Sequence, residues 1–332
     1  MRVLVTGARG YVGSKVVAQL QGAVAAVAEV DSEWFAHARV TGNWSQNLYG
    51  TDFRMLTVDD LSGFDTIIHL AGYSNDPIGW LSPQETYALN ETEAAALAVR
   101  AKKAGVKRFV LSSTCSVYGE ADDSEKNEMD DAAPITPYGA AKLGAERALL
   151  ALHDDSFNVA ILRGATAFGP SLVPRTDLLL NELCAEAALG RPLQLQSDGQ
   201  SWRPFMPVDD FARALVAAAV QTPQTDDLPI WNIAPPDMQM TVREAATRAA
   251  RVAKVPSPLF PPQSAADRRS YRVSGTKFLN AFPNFAYSTD FDAAIAATIQ
   301  SYAAIATLQN DLSNDRFVRL ASFKRAQMAK TA

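Results

Sequence analysis

The sequence predicts an α/β fold, a doubly wound parallel sheet with a smaller mixed α/β lobe toward the C-terminus, and three observations carry that expectation. Short apolar, β-branched runs recur, and most are followed by segments with helical spacing, the alternation that builds parallel strands joined by crossover helices. The first run, Arg2 to Thr6, enters a turn holding Gly7, Gly10 and Gly13. At 332 residues the chain exceeds a typical single domain. The expected division is a large unit over 1–170 and a smaller lobe over 171–332, some of whose strands and helices return to the first.

Composition narrows the function. With 48% hydrophobic and 20% charged residues and a formal net charge of −5, the chain has no excess of positive charge to offer nucleic acid, which is not an expected partner. Cys115 and Cys184 are too few for a disulfide framework or a zinc cage, so no metal site is expected. No apolar run reaches bilayer-spanning length, and the opening MRVLVTG is a strand rather than a charged leader. No membrane partner is expected, and the expected location is cytoplasmic.

The first elements are a strand over Arg2–Thr6, the glycine turn, and a helix over Val12–Leu20. Glycines at this spacing let the backbone turn sharply and approach a pyrophosphate, while the helix N-terminus offers amide donors to the anion. The ATPase-type phosphate loop is excluded by residue order, since Gly13, Ser14 and Lys15 do not form Gly-Lys-Ser. A second strand, Val24–Val30, ends at Asp31, about where an acid takes the ribose hydroxyls of NAD and disfavours NADP. Arg9 is the opposing signal, because a guanidinium suits a 2′-phosphate; its other reading is a solvated loop arginine.

Ser32 to Gly50 is aperiodic and reads as a long loop. A buried strand over Asp65–Leu70 then leads to the small residues Ala71 and Gly72, and His69 within it reads as a core histidine. Tyr73–Pro83 is expected to be a loop walling the substrate site, Glu85–Ala104 a helix containing Asn90, and Lys107–Leu111 a strand that delivers Ser112, Ser113 and Thr114. Tyr138–Leu152 has helical composition and sets Tyr138 and Lys142 four apart, on one face. A free tyrosine titrates at about 10; a nearby ammonium would lower that and let the phenol move a proton near neutrality. Thr114 would hydrogen-bond the same reacting oxygen.

Farther on, a strand is expected over Asn158–Leu162, helices over Leu178–Ala188, Val242–Ala253 and Phe291–Leu308, and a strand over Gly190–Leu195. Arg175 and Asp177 stand at a helix mouth, as a charge pair or as a substrate contact. From Asn310 the chain is a mixed-charge tail with Phe317, Leu320 and Phe323 at helical spacing, read as packing on the lobe or as an oligomer or lid contact.

Eight ordered motifs resemble the extended short-chain dehydrogenase/reductase family, in particular its nucleotide-sugar epimerases, dehydratases and reductases. They are GARGYVG at Gly7, Asp31, DFR at Asp52, HLAG at His69, SSTCSVYG at Ser112, YGAAK at Tyr138, LRGATAFGP at Leu162 and WRPFMPVDD at Trp202. The resemblance implies a Rossmann-type sheet binding NAD, with NADP as the alternative, and a homodimer formed through the helix of Tyr138. It would place Gly7, Arg9, Gly10, Tyr11, Val12, Gly13, Asp31, Asp52, Phe53, Leu70, Ala71, Gly72, Asn90, Tyr138 and Lys142 along the dinucleotide. The catalytic set would be Thr114, Tyr138 and Lys142, and the nucleotide-sugar substrate would meet Ser74, Asn75, Thr166, Arg175, Arg203 and Arg269, with Arg268 beside the last. Thr166 departs from the family, which usually has asparagine there.

Two positions discriminate among reactions. The 4,6-dehydratases of this family carry Asp and Glu after the hydroxyl residue; here Cys115 and Ser116 replace them. Elimination then lacks its usual acid and base, and the expected activity is NAD-dependent epimerisation through a transient 4-keto sugar. A reductase of a 4-keto sugar and a non-catalytic dinucleotide sensor are the alternatives. Cys115 is either an unusual acid or base, since thiols titrate at about 8.5, or a small buried filler.

Overall fold

The structure, a computed structural model of the chain, describes residues 1–41, 48–225, 227–261, 269–287 and 290–331. Arg268 and part of the 32–50 loop lie outside these residues. In chain order the first elements are β1 (Arg2–Thr6), α1 (Gly13–Leu20), β2 (Ala26–Val30), β3 (Leu48–Tyr49), α2 (Val58–Leu61) and β4 (Thr66–His69). Then come α3 (Asp76–Leu81), α4 (Pro83–Tyr87), α5 (Glu93–Lys103), β5 (Arg108–Thr114), β6 (Glu120–Lys126), α6 (Pro137–Leu150), β7 (Asn158–Gly164) and β8 (Thr166–Phe168). The C-terminal part supplies α7 (Leu179–Ala188), β9 (Trp202–Pro207), α8 (Val208–Val220), β10 (Ile230–Ile233), β11 (Gln239–Thr241), α9 (Val242–Ala253) and β12 (Ser270–Val273). It ends with α10 (Thr276–Ala281), α11 (Phe291–Ala303), α12 (Leu308–Ser313) and α13 (Arg319–Thr331).

The main sheet is seven-stranded and parallel, in the order β10-β7-β5-β4-β1-β2-β3. Alternating side chains explain its two covered faces: Val3 and Val5 of β1 pack with Val16, Val17 and Leu215, whereas Leu4 packs with Leu97, Ala98 and Phe109 on the opposite side. The winding reverses between β1 and β4, and a crevice opens beyond the carboxyl ends of those strands. A third apolar cluster joins α7, α9 and α11 through Leu183, Ala246, Phe291 and Ile295, with Phe168 and Phe205 from the three-stranded β11-β9-β8 sheet. β10, from residues beyond 171, pairs parallel with β7 and completes the main sheet.

Three expectations need correction. Tyr73–Pro83 is not a loop throughout, because the Asn75 side chain caps Ile78 N at 3.1 Å and Pro77 occupies the first turn, starting α3. The helix expected over Glu85–Ala104 is present as one continuous helical run, α4 passing through a π-turn over Ala88–Thr92 into α5. Gly190–Leu195 forms no strand beyond an isolated bridge between Gln194 and Leu259. The helix beginning at Phe291 stops at Ala303, and α12 follows as a separate element.

Candidate active site

The crevice is one cavity of about 1030 Å³. Its floor is the glycine turn after β1. Gly7 takes φ +68°, and a Cβ added there would stand 2.7 Å from Ala71 N, so this turn and the end of β4 approach as only glycine permits. Gly13 is tighter still: a Cβ would lie 2.0 Å from Gly7 O. Gly7, Gly10, Tyr11, Val12 and Gly13 all line the cavity, as do Asp31, Asp52, Phe53, Leu70, Ala71 and Gly72. Asp31 is fixed at the end of β2 by accepting from Arg9 N (2.9 Å) and Glu33 N (2.7 Å), and burial raises its pKa. Asp52 caps a short turn and pairs with Arg54 at 2.7 Å. The Tyr11 hydroxyl donates to Gly169 O (2.9 Å) and accepts from Asn181 (3.1 Å), tying the glycine turn to the base of α7.

Two cofactor expectations change. The Arg9 side chain does not line the cavity; its guanidinium donates to the buried carboxylate of Glu29 at 3.2 Å and lies 3.9 Å from Glu33. Asn90 also stands behind the wall, where its side-chain amide accepts from Tyr73 N (2.9 Å) and donates to Tyr73 O (2.8 Å). It shapes the segment after Gly72 rather than touching the cavity.

Thr114 ends β5, and Tyr138 opens α6 behind Thr136, whose hydroxyl caps Gly139 N at 3.1 Å. Lys142, one turn along from Tyr138, donates to Ser112 O at 3.0 Å. Thr114, Tyr138 and Lys142 all line the cavity. The expected lowering of the phenol by Lys142 is not what the structure shows. Burial raises Tyr138, and Asp76 adds to that, while Arg175 and the nearby Thr114 hydroxyl pull the other way. The ammonium is the perturbed partner: burial presses Lys142 down to about 8, offset in part by Glu146. Gly79 of α3 packs on Tyr138, and a Cβ there would stand 3.1 Å from Tyr138 N.

Cys115 is withdrawn from the chemistry. It is 1% exposed, absent from the cavity lining, donates to Arg163 O at 3.2 Å, and burial drives its thiol far above the ordinary range. Ser116 does line the cavity, with its hydroxyl 3.3 Å from the Tyr271 hydroxyl.

At the other end stand Ser74, Asn75, Thr166, Arg175, Arg203 and Arg269. Arg175 pairs with Asp177 at 2.9 Å and donates to the Ser74 hydroxyl at 3.0 Å, and Asn75 donates to Asp177 at 2.8 Å. Arg203 donates to Trp202 O at 2.8 Å and to Arg269 O, with its guanidinium 5.5 Å from the Tyr271 ring centre. Arg269 pairs with Asp76.

The sequence reading missed Trp34, Phe35, Glu182 and Arg319 in the cavity wall. Trp34 and Phe35 lie in the opaque loop and Arg319 in the tail, where no periodicity or motif marks them. Trp80, read there as part of the wall, is 62% exposed and outside it. Among the described residues no cluster of acidic, histidine or cysteine side chains is arranged for a metal, and no helix is long and apolar enough to cross a membrane.

Comparison with known proteins agrees with this geometry. A protein from Bacillus subtilis described as an uncharacterised UDP-glucose epimerase, YtcB, is 29% identical over 236 residues, 65% of this chain and 72% of its own. A UDP-glucuronate 4-epimerase from Thermodesulfobacterium geofontis is 27% identical over 229 residues, 65% of this chain and 70% of its own. The solved structure of MoeE5 with UDP-glucuronic acid and NAD superposes with a TM-score of 0.79 at 29% identity, covering 91% of this chain and 98% of that one. The model of the NAD dependent epimerase/dehydratase family matches residues 3–234, and the chain belongs to that family.

Proposed function

We propose that the protein is an NAD-dependent 4-epimerase of a nucleotide sugar. The observation that carries this is that Thr114, Tyr138 and Lys142 line one cavity with the glycine turn, with no carboxylate at 115 or 116. The cleft fits NAD. The glycine cradle leaves no space for a Cβ at Gly7 or Gly13, and Asp31 stands at the lip as an acceptor for ribose hydroxyls. Arg9, held by Glu29, is not placed for the extra phosphate of NADP. This favours NAD over NADP as the cofactor.

When bound, NAD supplies a carrier that takes the C4 hydride of the sugar and returns it. Tyr138, as the phenolate, would accept the C4 hydroxyl proton as the ketone forms and, now a neutral phenol, would give it back to the same oxygen after the sugar has turned over. Thr114 hydrogen-bonds that oxygen and fixes its line to Tyr138. Lys142 stands one turn from the phenol and bonds the β5 backbone. Arg203 and Arg269, at the far end, suit the diphosphate of the substrate. A homodimer in the cytoplasm belongs to the same proposal; Val99, 37% exposed on α5 beside α6, supports an apolar contact there.

The test is to unfold the purified protein and identify the released nucleotide, then assay UDP-sugar interconversion without added cofactor. NAD release and unassisted interconversion are expected. Strict dependence on added NADPH would move the protein to the reductase reading.

A further inference from the structure

We propose that the C-terminal helix α13 is a strap across the dinucleotide cleft and that Arg319, at its first turn, is a binding residue for the pyrophosphate of the cofactor. The inference rests on the NAD-dependent reading above and adds to it a site that none of the eight motifs contains.

Arg319 is 3% exposed and lines the cavity, yet among the described residues it makes no hydrogen bond and no ion pair. Its guanidinium lies 3.7 Å from the centre of the Phe35 ring, which covers one face and leaves the N–H edge without an acceptor. Burial, reinforced by the like charge of Arg175, presses its pKa down to about 9, while Asp177 and Asp31 act in the other direction. A buried cation without an anion is costly, and a structure keeps one where an anion arrives. Neither Asp31 nor Asp177 fills that role: among the described residues neither makes an ion pair with Arg319, and both act on it only through space.

Position identifies the anion. Arg319 lines the same cavity as Asp31 and the Arg175–Asp177 pair and feels the charge of all three. Asp31 marks the adenosine ribose end, and the Arg175–Asp177 pair, joined to Ser74 and Asn75, marks the substrate end. A dinucleotide laid from Asp31 over Gly10 and Gly13 toward Tyr138 carries its two phosphates between those markers. Arg203 and Arg269 lie elsewhere in the cavity, Arg203 donating to Arg269 O and Arg269 paired with Asp76, which leaves the second diphosphate, that of the sugar nucleotide, to them.

The strap is fastened on both banks of the cleft. On the β2 side, Arg316 donates to His37 O (2.8 Å) and Arg39 O (2.6 Å), and His37 Nε2 lies 2.8 Å from the Ser322 hydroxyl. On the β4 side, the Phe323 ring meets Tyr73 edge-on at 5.3 Å, and Gln327 donates to Glu85 at 3.1 Å. Trp34 closes the gap, 6.0 Å from Tyr73 and 6.3 Å from Phe323 between ring centres.

The experiment compares the wild type with Arg319→Met and Arg319→Lys after removal of bound nucleotide, using calorimetric binding of NAD, ADP-ribose and adenosine. Arg319→Met is expected to weaken NAD and ADP-ribose by about 10- to 100-fold, the loss of a charge-assisted bond to phosphate, and to leave adenosine within about twofold. Arg319→Lys should recover part of the loss, and the decline of NAD affinity with salt should be shallower for the Met variant. Equal losses for adenosine and ADP-ribose would overturn the proposal, since a merely structural arginine weakens both. Unchanged NAD binding with weakened UDP-sugar binding would overturn it as well, assigning Arg319 to the substrate. A wild type that binds no NAD at all would instead remove the epimerase reading on which the proposal stands.

Discussion

The carboxylate of Glu146 grips the guanidinium of Arg163 at 2.7 and 3.1 Å with both side chains almost wholly buried, and so fastens the helix of Tyr138 and Lys142 to the strand behind it. Glu146 also accepts from Ser113, the neighbour of Thr114, and Arg163 donates to the Tyr118 hydroxyl at 2.9 Å. One ion pair thus couples β5, α6 and β7 beneath the catalytic trio. Removing one partner leaves a buried charge uncompensated. Arg163→Met is expected to cost about 3–5 kcal/mol in denaturant unfolding, whereas pairing it with Glu146→Leu restores most of that loss. Losses that simply add in the double variant would contradict the coupling.

Tyr138→Phe removes the proton carrier without changing the packing of α6. Turnover should fall by roughly 10²- to 10⁴-fold while NAD affinity stays within about threefold. Cys115→Ala is the companion control, because the thiol faces Arg163 O and not the cavity. Its turnover should stay within about twofold of wild type if burial has removed the thiol from catalysis. A large loss in the cysteine variant, or a small one in the tyrosine variant, would mean that the roles are misassigned.

Burial and the like charges of Glu186 and Asp177 push Glu182 up to about 7 from an ordinary 4.5. The folded state therefore holds this proton more firmly than the unfolded state does. The stability that the protonated form contributes is complete below about pH 4.5 and is lost as pH climbs through about 7. Glu182 faces the open cleft and is exposed, so solvent screens most of the effect: Glu182→Gln should be more stable than wild type at pH 8 by at most about 1 kcal/mol, and the difference should vanish near pH 4.5. Thermal unfolding across that range reads it; a gap independent of pH would show that the carboxyl's surroundings do not hold its proton.

Gly13→Ala tests the cradle. The added Cβ would stand 2.0 Å from Gly7 O and 2.8 Å from Ala8 O, so the turn must open and its amides leave the cofactor. Loss of NAD binding is expected, with destabilisation of about 2 kcal/mol or more. Gly50→Ala, where no atom lies within 4 Å and φ is unrestricted, should stay within about 0.5 kcal/mol of wild type.

Much of this arrangement is written locally. β1, the glycine turn and Asp31 are legible because each strand is a short apolar run ended by glycine or acid, and Thr114, Tyr138 and Lys142 because their spacing has one helical solution. The lysine's effect on the phenol was not legible, since it depends on how deeply both groups are buried. Arg9 was read toward the cofactor because Glu29 and Glu33, which claim it, act through a fold that the loop sequence does not announce. The start of α3 escaped notice because Asn75 and Pro77, ordinary turn formers, here cap and open a helix. Arg319, Trp34 and Phe35 were invisible for a different reason: their partners come from the far end of the chain, and only tertiary packing brings tail and loop to one cleft.

The most direct test of the central claim follows the hydrogen at C4. UDP-glucose carrying deuterium at C4 is incubated with the purified protein, without added cofactor, alongside a panel of other C4-labelled UDP-sugars. Epimerisation predicts that at least one is converted to its C4 epimer with the deuterium retained at C4, because the same hydride leaves and returns within one active site. Loss of the label from C4, or turnover only when NADPH is supplied, would contradict the account.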